Sequence, residues 1–372
     1  MNEEVKYWIA FNNIPGIGRV RLSQMENYFG SLRDAWNAPE GDLKKAGLDT
    51  SAVKAIIRYR PGVSPDEAAT NVEAAGVTVI TCNDPSYPAR LKEIYDYPPL
   101  LYVRGSLVPE DEWCVAVVGT RRVTVYGRQV TAELSTDLAS NGITVVSGLA
   151  RGVDTIAHRS ALEAGGRTIA VFACGLDMVY PPENERLARE IEENGALISE
   201  YPMGMRPRAE NFPRRNRILS GLSLGVLVTE ADEQSGAMIT ARFAIEQNRD
   251  VFAVPGSILS PVSRGVNHLI QDGARLVMRY TDIMEELNLA TVARQMEMRE
   301  ILPDSEAERV VLEQLGAEPV HIDEVCRASG RPVAEVSGTL AMMELKGLVK
   351  QVGTMNYVLA RELRQEYHVR VD

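Results

Sequence analysis

Cysteine and histidine are scarce in this chain of 372 residues, four of each and none clustered. Cys82, Cys114, Cys174 and Cys326 form no CxxC pair and no metal-ligand spacing, which leaves a zinc site or a disulfide framework without support. Cys114 and Cys174 lie in or beside apolar runs, so buried free thiols in a reducing cytoplasm are expected. No apolar run approaches about eighteen residues, so no membrane span is expected. The opening residues, MNEEVKYWIAFNN, lack the basic-then-apolar order of a secretory leader. Net positive charge is absent too: 40 Lys and Arg face 51 Asp and Glu, a balance of -11. That argues against a protein coating nucleic acid with its whole surface, but not against a local basic pocket.

Five arginines nevertheless fall between Arg206 and Arg217, in MRPRAENFPRRNRI, with Glu210 alone opposing them. The guanidinium fork matches phosphate oxygens bidentately, so a bound phosphate is one reading of this short, Pro-broken segment. The other is a solvated loop that salt-bridges to the acidic surface.

Residues 1–75 read as short amphipathic helices, with Ile14-Pro15-Gly16-Ile17-Gly18 as the hairpin of a helix–hairpin–helix. A second helix pair turns at Gly47. From about residue 76 the period changes. Apolar, β-branched runs at Val115–Val118, Ile143–Val146, Thr168–Phe172, Ala196–Ser199, Gly225–Val228, Val251–Val254 and Leu276–Met278 alternate with helical patterns. This predicts an α/β domain over 76–287: a doubly wound, Rossmann-like parallel sheet, with residues 76–110 an irregular, Pro- and Tyr-rich lead-in. A polar linker is expected over 288–303. Three helices and a hairpin over 304–372 then suggest a winged helix.

The clearest signals sit where predicted strands end. Val115–Val118 runs into Gly119-Thr120-Arg121-Arg122. Ile143–Val146 runs into Ser147-Gly148-Leu149-Ala150-Arg151-Gly152-Val153-Asp154, and Thr168–Phe172 into Ala173-Cys174-Gly175. In open α/β sheets ligands bind beyond the carboxyl ends of the strands, where glycines let backbone amides approach an anion. None of these loops is a GxGxxG or Walker A sequence, so a dinucleotide or triphosphate site is unsupported. Each glycine turn alone is equally a tight strand–helix connection.

In order, GTRxxxxYG, SGLARGVDxxAH, GLDxxYPxxN, NFPRRNRI, SGAMITA and PGSxxxxxxxGVNHLIxxGA resemble the DprA (Smf) family of DNA-processing proteins, over about residues 76–287. Thr120 stands where that family usually has Ser, Ala237 where Ser or Thr is frequent, and Val266 where a small residue is usual. The resemblance implies an extended Rossmann domain flanked by a SAM-like helical domain and a winged helix. It also implies binding of single-stranded DNA during natural transformation (competence), protection of incoming strands, and loading of RecA recombinase by a homodimer. No cofactor, metal or catalytic residue is expected. The residues expected to contact DNA are Gly119, Thr120, Arg121 and Arg122; Ser147, Gly148, Arg151, Gly152 and Asp154; Gly175; Phe212, Arg214, Arg215, Asn216 and Arg217; and Ser235 with Gly236. Base stacking would fall to Tyr126, Tyr180 or Phe212.

Alternatives accompany several of these. Arg217 is also readable as pinning the next helix to the sheet, and Asp154 as a helix cap or a support for Arg151. His158 is either an oriented structural histidine or a general base. Glu230 and Asp232 are either carboxylates for catalysis or salt-bridge partners of the arginines. A nucleotide sensor or a nucleoside-monophosphate phosphoribohydrolase would use the same fold, but the PGGxGTxxE signature of the latter is missing. The C-terminal residues 304–372 carry eight Lys and Arg against twelve Asp and Glu. That favours protein interaction over duplex reading for the winged helix.

Overall fold

The computed structural model describes residues 3–289, 305–316, 319–345, 349–353 and 355–359. The chain divides into two compact units at Leu289/Ala290. The linker expected over 288–303 lies, from residue 290 onward, outside the described residues.

The first unit begins with six helices: α1 (Val5–Asn12), α2 (Arg19–Phe29), α3 (Leu32–Asn37), α4 (Glu40–Lys45), α5 (Thr50–Tyr59) and α6 (Pro65–Ala74). The Ile14–Gly18 hairpin joins α1 to α2, with Gly16 in the left-handed region at φ 82°, which an L side chain rarely adopts. Asp49 caps α5 by accepting from the Ala52 amide at 2.9 Å, and α5 turns Ala52, Val53 and Ile56 inward at helical spacing.

Nine strands follow among the described residues: β1 (Thr78–Thr81), β2 (Leu100–Gly105), β3 (Cys114–Val118), β4 (Thr144–Ser147), β5 (Thr168–Val171), β6 (Gly195–Ser199), β7 (Gly225–Val228), β8 (Asp250–Ala253) and β9 (Arg275–Leu276). They form one sheet in the order β1-β2-β6-β5-β4-β3-β7-β8-β9. From β6 to β9 it is parallel, and β2 runs antiparallel to both β1 and β6. The lead-in expected to be irregular therefore contributes two strands. Its prolines obscured them, but Pro98 and Pro99 stop just short of β2, where a missing amide costs no ladder bond.

Strands β3 to β7 are buried along their whole length, because helices cover both faces. Alternation along β2 displays the layering. Leu100 and Tyr102 join a core shared with α1–α6, while Leu101 and Val103 face the opposite core. The helices after β1 are α7 (Ala89–Lys92), which lies between β1 and β2, then α8 (Val125–Ser140), α9 (Val153–Glu163), α10 (Glu185–Asn194), α11 (Asn211–Leu222), α12 (Gly236–Glu246), α13 (Arg264–Gln271) and α14 (Tyr280–Glu286). The strand order turns back at β3, with β4 to β6 on one side and β7 to β9 on the other. Crevices in such sheets open beyond the carboxyl ends of the strands near the switch point, here those of β3 and its neighbours β4 and β5 on one side and β7 on the other.

The second unit contains α15 (Glu306–Leu312), β10 (Val320–His321), α16 (Ile322–Ser329), α17 (Val333–Leu345), β11 (Val349–Gln351) and β12 (Asn356–Leu359). Its strands pair in the order β10-β12-β11 over a core that includes Val311, Ile322, Val325, Val336, Leu340 and Tyr357. This is the expected winged helix with one short strand added. Lys346, Gly347 and Leu348, within the span expected to form three helices and a hairpin, lie outside the described residues.

Candidate nucleic-acid interface

The arginine-rich segment is not a loop throughout. Helix α11 starts at Asn211, so Phe212 to Arg217 are helical. Pro213 breaks nothing there, because first-turn amides have no intrahelical acceptor to lose. A helix separates its arginines by direction. Arg214 faces solvent, whereas Arg215, only 3% exposed, enters the core.

Arg215 supports the crevice from below. Its Nη1 donates to the Gly148 carbonyl at 2.9 Å and to the Val171 carbonyl, tying the β4 and β5 ends together. Burial lowers its pKa to about 10, against the opposing pull of the Asp154 carboxylate. Asp154 is buried as well, and burial raises its pKa while Arg215 counteracts the rise. The Asp154 Oδ2 accepts from the Gly148 and Ala150 amides, both at 3.2 Å. Asp154 thus folds the loop back on itself, and any contact with a ligand would be indirect.

The glycines of these loops serve close packing. A Cβ on Gly148 would overlap the Arg215 guanidinium, and one on Gly119 would meet Val153 Cγ2 at 2.5 Å. Gly152, at φ 80°, crosses directly over the Thr120 and Arg121 backbone. The Gly175 amide donates to the Met205 carbonyl at 2.9 Å. The Thr120 amide donates to the Glu230 carbonyl at 2.6 Å, and the Thr120 hydroxyl accepts from the Arg122 amide at 3.2 Å. The Ser147 hydroxyl donates to the Val117 carbonyl at 2.7 Å. The Thr120, Arg122, Gly148, Ala150 and Gly175 amides are thus engaged within the protein.

Other expected contacts are also structural in position. Arg217 grips Glu200 through both terminal nitrogens, at 3.0 and 2.6 Å, and donates from Nε to Asp96 at 2.9 Å. Asn216 donates to the Gly236 carbonyl at 3.3 Å. Ser235 caps α12, and a Cβ on Gly236 would meet nothing within 4 Å. Glu230 makes no ion pair with the arginines among the described residues. Its carboxylate holds the β3 turn through the Thr124 amide and hydroxyl, at 2.8 and 2.7 Å.

His158 is fully buried. The Thr168 hydroxyl donates to the Val145 carbonyl at 2.6 Å, so it accepts from His158 Nδ1 at 2.7 Å. Nε2 is then an acceptor with no partner among the described residues. Burial, reinforced by Arg215, lowers this pKa to about 3. A neutral, enclosed imidazole does not reach the crevice as a base.

What remains exposed is compact. Arg121 lies over the Phe212 ring, its guanidinium carbon 5.6 Å from the centroid, and Phe212 packs against Tyr180 at 5.5 Å. The ends of β3 and β5 and the start of α11 thereby meet in one cation–aromatic group. Tyr126 is drawn elsewhere, donating to the Pro255 carbonyl at 2.8 Å. Arg121, Arg122 and Arg151 line a cleft of about 480 Å³ together with Arg128 and Arg159, which sequence reasoning missed. Arg128 is the fourth residue of α8 and Arg159 the seventh of α9. Carrying helical spacing onward from each strand-end arginine would have found them.

Arg214 borders a different, larger cleft of about 1130 Å³, between the Ile14–Gly18 hairpin and residues 200–217. Most arginines there are neutralised: Arg21 by Asp49, Arg208 by Glu210, and Arg217 as above. Among the described residues no group of three or more His, Cys, Asp or Glu side chains could hold a metal ion, and no helix is long and apolar enough to cross a membrane.

The family model described as DNA recombination-mediator protein A matches residues 78–288, and the DprA winged helix domain matches 297–353. Protein Smf of Synechocystis is 34% identical over 96% of this chain and 99% of its own length. The DNA processing protein DprA of Streptococcus pneumoniae is 44% identical over 66% of this chain and 95% of its own. The X-ray structure of DNA processing protein A from that organism superposes with a TM-score of 0.67 at 36% identity, over 76% of this chain and 97% of that one. A structure of DNA processing protein A from Helicobacter pylori, described by its single-stranded DNA binding mode, gives a TM-score of 0.52 at 34% identity, over 57% of this chain and 95% of that one.

Proposed function

This chain belongs to the DNA recombination-mediator protein A family, and we propose that it holds single-stranded DNA in the crevice beyond β3, β4 and β5 and passes it to a RecA-type recombinase. The observation that carries this reading is exposed Arg121, which lies over Phe212 of the Tyr180–Phe212 pair and lines one cleft with exposed Arg122 and Arg151. Exposed guanidinium groups take phosphates without regard to sequence, and aromatic faces take any base. Arg215, Asp154 and the loop glycines shape this surface from beneath. The enclosure of His158 and the engagement of Glu230 favour a binding role over turnover. We assign the protein to the uptake pathway of natural transformation. We also assign it a homodimer, for which exposed Leu276 and Met278 at the β9 edge are candidate contacts. The acidic second unit is assigned to protein contact.

The test is a binding titration with single-stranded and duplex oligonucleotides at two salt concentrations. Wild-type protein is expected to prefer the single strand, with log K falling by about 0.7 per phosphate neutralised per decade of salt. Arg121→Glu with Arg151→Glu, both at exposed positions, is expected to abolish binding without lowering thermal stability. Full affinity in that folded double variant would defeat the assignment. RecA filament nucleation on coated DNA, with and without the protein, tests the transfer step.

A further inference from the structure

The crevice does not account for all the charge beside it. We propose that the cleft between the first turns of α8 and the middle of α9 is a phosphate-binding site, built by Arg128 and Arg159, that takes the backbone of a strand as it leaves the crevice. This rests on the reading of the crevice as a single-strand site.

Three observations carry it. Five arginines surround about 480 Å³, against two carboxylates, Glu163 and Glu183. Among the described residues no ion pair engages Arg122, Arg128 or Arg159, whereas the larger cleft neutralises most of its arginines. Like charges gathered at one place without counter-ions attract an anion from solution. Secondly, the mouth already holds one: the Glu183 carboxylate sits on Arg151 Nε. Both partners are exposed, so a phosphate can displace Glu183 at little cost. Thirdly, arginine side chains dominate the lining, and the Thr155 amide there is held by the Ala150 carbonyl. Such a set of guanidinium groups reads charge, as backbone-tracking contacts do.

A ladder of oligothymidylates of increasing length tests this with the full chain. Arg128→Ala with Arg159→Ala is expected to leave the shortest binding oligomers unaffected and to weaken the longest by about tenfold. Its salt slope on the long oligomers should fall by about 1.4, the value for two lost phosphate contacts. Glu183→Gln should tighten long oligomers by roughly two- to fivefold, while Glu190→Gln, on α10 outside the cleft, should not. An equal loss at every length, or no loss at any, overturns the extended track. So does equal tightening by both glutamine variants, which reports net charge alone. Inorganic phosphate and thymidine monophosphate form a separate arm. If either stabilises wild-type protein through Arg128 and Arg159 while the length dependence is absent, the cleft holds a free phosphate and the proposal fails. If Arg121→Glu with Arg151→Glu also binds normally, the crevice itself is misassigned, a result distinct from loss of the extension alone.

Discussion

Arg215→Ala separates a side chain that shapes the crevice from one that touches DNA. The substitution deprives the Gly148 and Val171 carbonyls of their donor and removes the cation opposing the rise of Asp154. Hydrogen bonds to charged groups contribute about 1.5–3 kcal/mol each, so two give about 3–6 kcal/mol. Relief of the guanidinium's own burial offsets part of that, leaving a net loss of about 2–4 kcal/mol. For a unit of this size the midpoint should fall by roughly 4–15 °C. Exposed Arg214→Ala, one residue earlier in α11, should stay within about 0.5 kcal/mol of wild type. Urea unfolding followed by circular dichroism, comparing midpoints at constant slope, measures both. If Arg215→Ala were as stable as Arg214→Ala yet lost DNA binding, Arg215 would be a direct contact and the supporting role would be wrong. Charge reversal at positions 215 and 217 is uninformative about DNA. It would set carboxylates beside Asp154, Glu200 and Asp96 and is expected to prevent folding.

Acid should act through His158. Its folded pKa of about 3 lies below the unfolded value of about 6.5, so the stability it confers is complete above pH 6.5 and is lost as pH falls toward 3. The slope is about 1.4 kcal/mol per pH unit, and His158→Asn should flatten it in urea titrations between pH 6.5 and 4. At the start of α12, Gly236→Ala meets no neighbour and should stabilise by about 0.4–1 kcal/mol with unchanged DNA affinity. A loss of affinity on thermal-shift-matched protein would return Gly236 to the contact surface.

The parallel strands were legible because runs such as Val115–Val118 and Gly225–Val228 are apolar, β-branched and bounded by glycine. Strands β1 and β2 were not, since proline and tyrosine dominate the residues between them. At the site, the direction of each arginine depended on a helix that Pro213 concealed. Once α11 is recognised, Arg215, Ile218, Leu219 and Leu222 fall at i, i+3, i+4 and i+7, one inward stripe, and the burial of Arg215 follows. The pairing of Arg217 with Glu200 and Asp96 spans loops far apart in sequence and left no local trace. The glycines left both readings open for a related reason: a turn that admits a phosphate and a turn that admits another loop look identical in sequence.

The core shared by α1–α6 and the sheet makes the two ends of this chain unequal in separability. The second unit has apolar residues that close on one another, so it carries its own reason to fold. The N-terminal helices have no such independence. Phe11, Leu43 and Ile56 belong to the same cluster as Tyr102, Phe172 and Leu197, so removing one set leaves the other bare to water. A shortened chain starting at residue 76 would inherit a sticky flank in place of a clean boundary. Deleting the amino-terminal helices is thus expected to uncover apolar surface on the sheet they pack against.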